Sequence, residues 1–388
     1  MRKRLYASVF GSGIGHASRM DLILKQLATD GWQLWVSSFG EGLRFLLSKG
    51  YVGRESPDLD VKWTVGGSLD FAGTLRRGPI MLVRFLEQVR FELRQIRQVN
   101  PHVIISDSRL SVVLAARILR IPVIVITNQL TILLPRHNRM WFIASIERIG
   151  GELLTWFWSL SKVIAIPDLP PPYTISSHNV CSVAPRRKIR FIGFLASWNH
   201  DLDKNQGRVS GSSARPLIFC PISGPTQTKS LLLSKLKEIA VSVPGYDFVI
   251  SAGIPGGSTD ARLFRGVTIF EWCPNVEELS NRASVIISRA GHTSIAKAIL
   301  TGRPLIVIPI EKQTEQVGNG ERVQSLGIGV MVNQRDLDPR SLLSAVRLCL
   351  NSPLEMEKKI NDLRDVALQH DGVAAISQLV EELRIQGK

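Results

Sequence analysis

The chain has 388 residues, of which 44% are hydrophobic and 7% aromatic, and its formal net charge is +15. This length suits two folded domains, and this composition excludes a disordered chain. The excess of positive charge indicates an acidic partner: a nucleic acid, an anionic membrane surface or a phosphorylated substrate.

Short β-branched runs alternate with helical patterns in the N-terminal half. A strand at residues 4–10 leads through a glycine-rich turn into a helix at residues 18–28, and another helix is predicted at residues 111–119. The other strands predicted in this half are residues 33–37, 103–105, 123–127, 163–166 and 190–194. Strands and helices in this order predict a doubly wound α/β domain.

A polar stretch rich in serine and glycine at residues 199–215 is the predicted linker, because no apolar periodicity persists there. A second α/β series follows, with helices predicted for example at residues 231–240 and 293–300. Its predicted strands are residues 217–220, 247–251, 267–270, 285–287 and 305–308. We therefore predict an N-terminal domain of residues 1–198 and a C-terminal domain of residues 216–388, whose last helix packs back onto the first domain.

The turn after the first strand reads Gly11-Ser12-Gly13-Ile14-Gly15-His16. A dinucleotide-binding turn would have glycine in place of His16 and an acidic residue after the second strand, where this chain has serines, so NAD binding is disfavoured. Gly13 and Gly15 still let the backbone approach a ligand closely, and we place them on the acceptor or phosphate side of the site.

His16 follows the carboxyl end of the first predicted strand, where open α/β sheets bind their ligands. Imidazole titrates near neutrality, so His16 can remove a proton from an attacking hydroxyl; the alternative is a histidine that only caps its helix. A base histidine usually needs an orienting carboxylate, and Asp107 is the candidate because its strand ends at the same edge. The alternative for Asp107 is an N-cap of the helix that follows it.

The C-terminal half contains several side chains suited to a nucleotide and a sugar. Trp272 can stack on a base, and the helix predicted to begin near Gly291 presents free N–H groups to a diphosphate. Glu315 and Gln316 are hydrogen-bonding groups suited to sugar hydroxyls. Together, at these spacings, they favour a donor site over a set of ordinary turns and helix starts.

These segments resemble the nucleotide-sugar glycosyltransferases of the GT-B fold, which include the UDP-glycosyltransferases and the bacterial lipid-linked N-acetylglucosaminyltransferases of cell-wall synthesis. The resemblance extends over both halves and implies two Rossmann-like, doubly wound α/β domains that face an interdomain cleft. It implies that His16 is the catalytic base and that Asp107 is its acidic partner. The donor contacts that it implies are Gly224, Thr226, Gln227, Trp272, Asn275, Arg289, Gly291, His292, Thr293, Ser294, Glu315 and Gln316.

One position departs from the family pattern. Six residues after Gly291, where the family usually has a glutamate that binds the ribose hydroxyls, this chain has Lys297. A lysine ammonium cannot accept those hydrogen bonds, so the ribose contact and the identity of the base stay open.

The resemblance implies direct displacement with inversion, with a nucleotide sugar as substrate, no further cofactor and no bound metal. The best-matching reaction transfers N-acetylglucosamine from a UDP donor to a lipid-linked acceptor such as a polyprenyl-diphosphate sugar. A glycolipid synthase that uses diacylglycerol and a nucleotide-sugar epimerase of the same fold are the alternatives. A non-catalytic nucleic-acid-binding or membrane-binding protein ranks last, because the aromatic and basic residues match no RNA-binding pattern, and no nucleic acid is expected as a partner.

Two segments of the N-terminal half suit an anionic membrane surface. Residues 76–97 form a basic amphipathic pattern with six arginines, and residues 141–158 combine tryptophans with other apolar side chains and a nearby arginine. The alternative is that both segments pack into the domain. A membrane-bound partner protein is compatible with the same surface.

No signal peptide is predicted, and no apolar run is long enough to span a bilayer. The four cysteines contain no CxxC pair, so no disulfide framework or zinc site is predicted and a reducing compartment fits. We therefore expect a cytoplasmic enzyme that binds peripherally to the cytosolic face of a membrane.

Overall fold

The computed structural model describes residues 2–58, 78–131, 141–180, 186–196, 215–224, 226–351 and 353–387. These residues form two compact units. The first contains the described residues as far as Leu195 and those from His370 on, and the second contains those from Ala196 to Gln369. The predicted linker at residues 199–215 lies outside the described residues except for Arg215.

The first unit is built on one seven-stranded sheet. Its strands are β1 (Lys3–Val9), β2 (Trp32–Ser38), β3 (Val52–Glu55), β4 (Val103–Asp107), β5 (Val123–Ile126), β6 (Val163–Ile166) and β7 (Ile189–Phe191). Their order is β3-β2-β1-β4-β5-β6-β7, and every neighbouring pair is parallel. The register aligns Ala7 of β1 with Val36 of β2 and with Ile105 of β4.

Helices cover this sheet in two groups. They are α1 (Gly15–Thr29), α2 (Gly40–Ser48), α3 (Gly78–Val99), α4 (Leu110–Leu119), α5 (Trp141–Ser159), α6 (Ser177–Val180) and, near the end of the chain, α13 (Gly372–Gln386). Helix α1 contacts α2 and α13, whereas α4 contacts α3 and α5. The two groups lie on opposite faces, as right-handed crossovers that leave β1 in both directions require.

The second unit repeats this architecture. Its strands are β8 (Leu217–Pro221), β9 (Asp247–Ser251), β10 (Arg262–Phe264), β11 (Val267–Phe270), β12 (Val285–Ser288), β13 (Leu305–Val307) and β14 (Gly329–Met331). Their order is β10-β11-β9-β8-β12-β13-β14, with β10 antiparallel to β11 and the other pairs parallel. Its helices are α7 (Thr226–Ser242), α8 (Val276–Arg282), α9 (His292–Leu300), α10 (Thr314–Ser325), α11 (Pro339–Asn351) and α12 (Pro353–Leu368).

The central strands are continuous apolar runs because helices cover both faces of each sheet. All residues of β5 are buried, and so are all residues of β12. In the second unit, Leu232 and Leu236 of α7 pack into the same core cluster as Leu342 and Val346 of α11. No helix in the described parts of the chain is long and apolar enough to cross a membrane.

The predicted fold class is confirmed: both units are α/β with Rossmann-like sheets. The strands that the sequence did not predict are β3, β10 and β14, and each lies at a sheet edge. They have only three or four residues. β3 and β10 are mostly exposed, and β14 is partly buried but has three residues and begins with a glycine, so none of them gives a strong strand pattern.

The strand order places the candidate sites. In the first sheet the chain leaves β1 toward β2 on one side and returns to β4 on the other, and in the second it does the same around β8, with β9 and β12. Open α/β sheets bind ligands at the carboxyl ends of the strands beside such a switch point. The residues that follow β1, β4, β8 and β12 are therefore the candidate ligand-binding residues.

Candidate active site

His16 and Asp107 lie together at the carboxyl edge of the first sheet. His16 is the second residue of α1, and Asp107 is the last residue of β4. His16 Nδ1 lies 2.8 Å from Asp107 Oδ1. The Asp107 side chain is 0% exposed, whereas the His16 side chain is 26% exposed. The predicted contact therefore exists, and it involves only one of the two ring nitrogens.

Arg19 is a third member of this cluster and was not predicted from the sequence. Its Nε donates to Asp107 Oδ2 at 2.7 Å, and its Nη2 donates to Asp107 Oδ1. The same Nη2 lies 2.9 Å from His16 Nδ1. Arg19 stands three residues after His16, a spacing that places two side chains on one face of a helix. That spacing is the sequence signal that would have found it.

The Asp107 carboxyl is held in its ionised form. Burial alone would raise the pKa of Asp107, because a buried carboxylate loses its hydration. The charges and hydrogen bonds of Arg19 and His16 outweigh burial and hold this pKa well below its ordinary value. An ionised carboxylate accepts a hydrogen bond from an imidazole N–H and so fixes the orientation of the ring.

Glycines shape the turn before α1. A Cβ at Gly11 would overlap the backbone carbonyl of Phe39, so only glycine allows these two loops to pack. Gly13 has a φ of +78°, in the left-handed region that favours glycine. A Cβ at Gly15 would meet no atom within 4 Å, so the turn is open there. This opening fits the predicted role of Gly13 and Gly15 beside a ligand.

In the second unit, the loop after β12 leads directly into α9. Gly291 is the N-cap residue of α9, and a Cβ there would meet no atom within 4 Å. His292 is buried, whereas Thr293 and Ser294 are half-buried. The first N–H groups of a helix favour an anion, so this corner suits the diphosphate that the sequence predicts.

The loop after β8 contains a second glycine with a special backbone. Gly224 has a φ of +115°, and a Cβ there would lie 3.3 Å from Thr228 Oγ1. The side chains of Thr226 and Gln227 lie outside the described part of the chain, so their predicted donor contacts stay predictions.

Trp272 and Asn275 lie in the segment between β11 and α8. Trp272 is half-buried, and its backbone N–H donates to the Ser258 carbonyl at 3.0 Å. Asn275 is exposed, and its Nδ2 donates to Glu278 Oε2 at 3.1 Å. The Asn275 amide is therefore engaged with its own helix, and its predicted contact with the base stays a prediction.

Lys297 lies in the second turn of α9 and is half-buried. Burial lowers the pKa of its ammonium, and the charge of nearby Glu277 partly opposes that shift. Where the family has a glutamate, this chain therefore has a cation on α9, and the carboxylate of Glu277 on α8 lies near it.

Arg289 is buried and hydrogen-bonded inside the second unit. Its side chain is 1% exposed and donates to the Thr228 carbonyl at 2.7 Å, the Ile308 carbonyl at 3.2 Å and Gln334 Oε1 at 2.5 Å. The guanidinium supports the loop between β12 and α9 from inside the unit. Its predicted contact with the donor stays a prediction.

Glu315 and Gln316, the predicted sugar-binding pair, lie in the first turn of α10. Glu315 is half-buried, whereas the Oε1 of the buried Gln316 accepts the Ile310 N–H at 2.9 Å. Asn319, which the sequence did not single out, is 0% exposed and donates from Nδ2 to the Ala290 carbonyl at 3.0 Å. One face of α10 therefore braces the loop that precedes α9.

Metal ligands do not cluster in the part of the chain that the structure describes. No group of three or more His, Cys, Asp or Glu side chains there could hold a metal ion. The groups that could hold a diphosphate are the N–H groups at the start of α9 and the glycine loop after β8.

Two family models match separate parts of the chain. The glycosyltransferase family 28 C-terminal domain matches residues 255–371, and glycosyl transferase family 1 matches residues 3–144. An uncharacterized glycosyltransferase of Methanosarcina acetivorans is 26% identical over 380 residues, which are 96% of this chain and 97% of the relative. The chain is a nucleotide-sugar glycosyltransferase of the GT-B fold.

Solved structures share this fold with the enzyme. The spinosyn rhamnosyltransferase SpnG aligns with a TM-score of 0.68 at 14% identity over 97% of this chain and 100% of its own. The kitacinnamycin glycotransferase aligns with a TM-score of 0.67 at 17% identity over 99% of both chains. SpnG has also been solved with thymidine diphosphate.

A shorter similarity names a donor and an acceptor. The UDP-N-acetylglucosamine–N-acetylmuramyl-(pentapeptide) pyrophosphoryl-undecaprenol N-acetylglucosamine transferase of Anaplasma marginale is 33% identical over 98 residues. These residues are 25% of this chain and 26% of the relative, so the match covers only a part of each.

We expect Asp107→Asn to lower the free energy of unfolding by about 3 kcal/mol at pH 7, because it leaves a buried guanidinium without its carboxylate. The pKa of Asp107 is lower in the folded chain, so its stabilisation is present above the unfolded pKa, about 4, and is lost as pH falls further. The difference from the wild type should therefore shrink between about pH 5 and pH 2, measured by urea unfolding at each pH.

Asp362→Asn is the matched control, because Asp362 is an exposed carboxylate in α12. It should change the free energy of unfolding by less than about 0.5 kcal/mol at every pH. A deficit of Asp107→Asn that stays constant as the pH falls to 2 would contradict an ionised, ion-paired Asp107.

Proposed function

We propose that the enzyme transfers N-acetylglucosamine from a UDP-linked donor to a lipid-linked acceptor such as a polyprenyl-diphosphate sugar, with inversion and without a metal. The observation that supports the chemistry most directly is the contact between His16 and Asp107. The ring of His16 is oriented by a buried carboxylate and is itself 26% exposed. A fixed and accessible imidazole suits removal of a proton from an acceptor hydroxyl.

The proposed step is a single displacement. His16 Nε2 takes the proton of the acceptor hydroxyl while the hydroxyl oxygen attacks the anomeric carbon of the donor. The bond from that carbon to the β-phosphate oxygen breaks, and the nucleoside diphosphate leaves with the bonding electrons. Asp107 stabilises the imidazolium that forms, and the N–H groups at the start of α9 stabilise the charge on the leaving group.

Support for the donor comes from the second unit. The family 28 model spans Trp272, the start of α9 and Glu315. The name of the Anaplasma marginale relative specifies UDP-N-acetylglucosamine and an undecaprenol-linked acceptor. Because Lys297 replaces the glutamate that binds the ribose in the family, the base of the donor is less well supported than its diphosphate. Thymidine-diphosphate sugars are therefore the comparison to test.

A saturating concentration of UDP-N-acetylglucosamine should raise the Tm by about 2 °C or more, because a ligand that binds only the folded protein stabilises it. Trp272→Ala should abolish most of this shift, since the variant removes the ring that we propose stacks on uracil, whereas Trp272→Phe should keep most of it. The measurement is a thermal-shift titration with UDP-sugars and TDP-sugars side by side.

Trp156→Ala is the control, because Trp156 is an exposed tryptophan of the first unit. It should keep the full ligand-induced shift. A shift with TDP-sugars alone would overturn the proposed uridine donor, and no shift with any nucleotide sugar would overturn the proposed donor site.

Support for a membrane-held acceptor begins at α3. The second half of this helix packs into the unit through Gln88, Val89, Glu92 and Ile96. The exposed apolar side chains of its first half are Ile80, Leu82, Val83 and Leu86. The exposed arginines of the helix are Arg84, Arg90, Arg94 and Arg97. Apolar side chains surrounded by arginines suit an anionic bilayer surface. Arg76 and Arg77 of the predicted basic segment lie outside the described residues.

Helix α5 adds a second exposed apolar stripe. Ile149, Leu153 and Trp156 are 66%, 56% and 57% exposed, and their spacing places them on one face of the helix. Trp158 is 4% exposed and belongs to the core, so the aromatic segment is divided between core and surface. The side chains of residues 141–144 lie outside the described ones. Because α4 contacts both α3 and α5, the two exposed surfaces share one face of the sheet.

We expect the enzyme to sediment with phosphatidylglycerol-containing vesicles and to be released by about 0.5 M salt, because salt screens the attraction of arginines to anionic lipid. The double variant Leu153→Ser, Trp156→Ser should sediment several-fold less, since it removes apolar side chains that enter the bilayer interface. The measurement is the pelleted fraction against vesicle concentration.

Leu263→Ser is the matched control. Leu263 is 77% exposed on β10 of the second unit and is flanked by arginines in the sequence Arg262-Leu263-Phe264-Arg265. It should leave sedimentation unchanged. Equal recovery of the wild type in the supernatant with and without vesicles at low salt would contradict the proposed membrane surface.

A further inference from the structure

Arg19 occupies both oxygens of the Asp107 carboxylate. The residue is 4% exposed, its Nε donates to Asp107 Oδ2 at 2.7 Å, and its Nη2 donates to Asp107 Oδ1. Two parallel N–H···O bonds fix a carboxylate more firmly than one, because they set its plane as well as its position. The oxygen that faces His16 is therefore held in place by Arg19.

The charge of Arg19 also changes the balance at the imidazole. A lone carboxylate beside a histidine favours the protonated ring, because opposite charges attract. The guanidinium cancels the charge of Asp107 and lies 2.9 Å from His16 Nδ1, where it opposes a second positive charge. The His16 ring therefore faces a carboxylate whose charge is offset, which a histidine–aspartate pair alone would not provide.

Hydrogen bonding adds a second restriction. His16 Nδ1 can either donate or accept a hydrogen bond. Its two neighbours are Asp107 Oδ1 at 2.8 Å and Arg19 Nη2 at 2.9 Å. If Nδ1–H donates to Asp107, the other nitrogen, Nε2, keeps its lone pair. If Nδ1 accepts from Arg19, Nε2 bears the proton and cannot take another from an acceptor hydroxyl. The ionised Asp107 favours the first arrangement.

We propose that Arg19 is a positioning residue that keeps Asp107 ionised and oriented and offsets the negative charge that this carboxylate presents to His16. This inference rests on the proposed role of His16 as the base. Arg19 acts through Asp107 and His16 and itself takes no part in the transfer of the proton.

The described residues around the His16 ring are otherwise uncharged or out of contact with it. Among the described residues, the charged groups in contact with His16 are Asp107 of β4 and Arg19 of α1. The loop after β1 contributes the Phe10 ring, whose centroid lies 5.3 Å from that of His16, and Phe39 packs behind Phe10 at 5.4 Å. Loss of Arg19 therefore removes the one cation that directly contacts the pair in the described part of the chain.

The test is the pH dependence of kcat/KM for UDP-N-acetylglucosamine with a polyprenyl-diphosphate N-acetylglucosamine acceptor. In Arg19→Gln, the pair should retain a proton to higher pH, so the acidic limb of the profile should move up by about one pH unit or more. Activity should fall at least several-fold at pH 7 and recover at higher pH. Arg19→Lys keeps the charge but loses the paired bonds, so it should restore the position of the acidic limb and only part of kcat.

His16→Ala separates the two possible failures. If His16→Ala retains wild-type activity, the proposed base is wrong. If His16→Ala is inactive while Arg19→Gln is slower by the same factor at every pH, Arg19 has a purely structural role and the inference alone is overturned. An unchanged donor KM in Arg19→Gln is also expected, because the change affects proton removal.

An NMR titration of His16 tests the same inference without substrate, and so also applies if the enzyme does not turn over the chosen acceptor. The protein is labelled with ¹⁵N-histidine, and the His16 signals are assigned by their loss in His16→Gln. In the wild type we expect the uncharged form of the ring to carry its proton on Nδ1. In Arg19→Gln, or in Arg19→Ala if that variant folds better, the charged ring should persist to a pH at least about one unit higher. Identical titrations of wild type and variant would overturn the inference.

Discussion

A buried, ionised carboxylate is the contact on which the site of the first unit depends. Asp107 has no exposed surface, and an ion in such a position needs a compensating cation and complete hydrogen bonding. Arg19 and His16 supply both from the first two turns of α1. These contacts fix the end of β4, the glycine turn and the start of α1 to one another. As a result, the His16 ring is held in one orientation and stays partly exposed to solvent.

A buried cation has the corresponding place in the second unit. Burial lowers the pKa of Arg289 to about 10, and its hydrogen bonds go to carbonyls of Thr228 and Ile308 and to the Gln334 side chain. These bonds tie the loop before α9 to the start of α7 and the end of β13. In both units, then, a charge held below the carboxyl edge of a parallel sheet positions the loop that we propose meets the substrate.

Much of the fold followed from periodicity, because helices on both faces make the central strands continuous apolar runs. The edge strands β3, β10 and β14 lack that burial and were not found. The contact of His16 with Asp107 followed from two strands that end at one edge. Arg289 has the same residue type as a phosphate-binding arginine, and only the packing around it shows that it points inward. Trp156 and Trp158 likewise differ only in the face of α5 on which they lie.

The proposed chemistry is a single displacement, in which an acceptor hydroxyl, deprotonated by His16, displaces the nucleoside diphosphate. The most direct measurement is the anomeric configuration of the product made from UDP-N-acetylglucosamine labelled with ¹³C at the anomeric carbon. The one-bond carbon–hydrogen coupling at that carbon distinguishes the two anomers. The α-linked donor should give a β-linked product, and an α-linked product would contradict direct displacement.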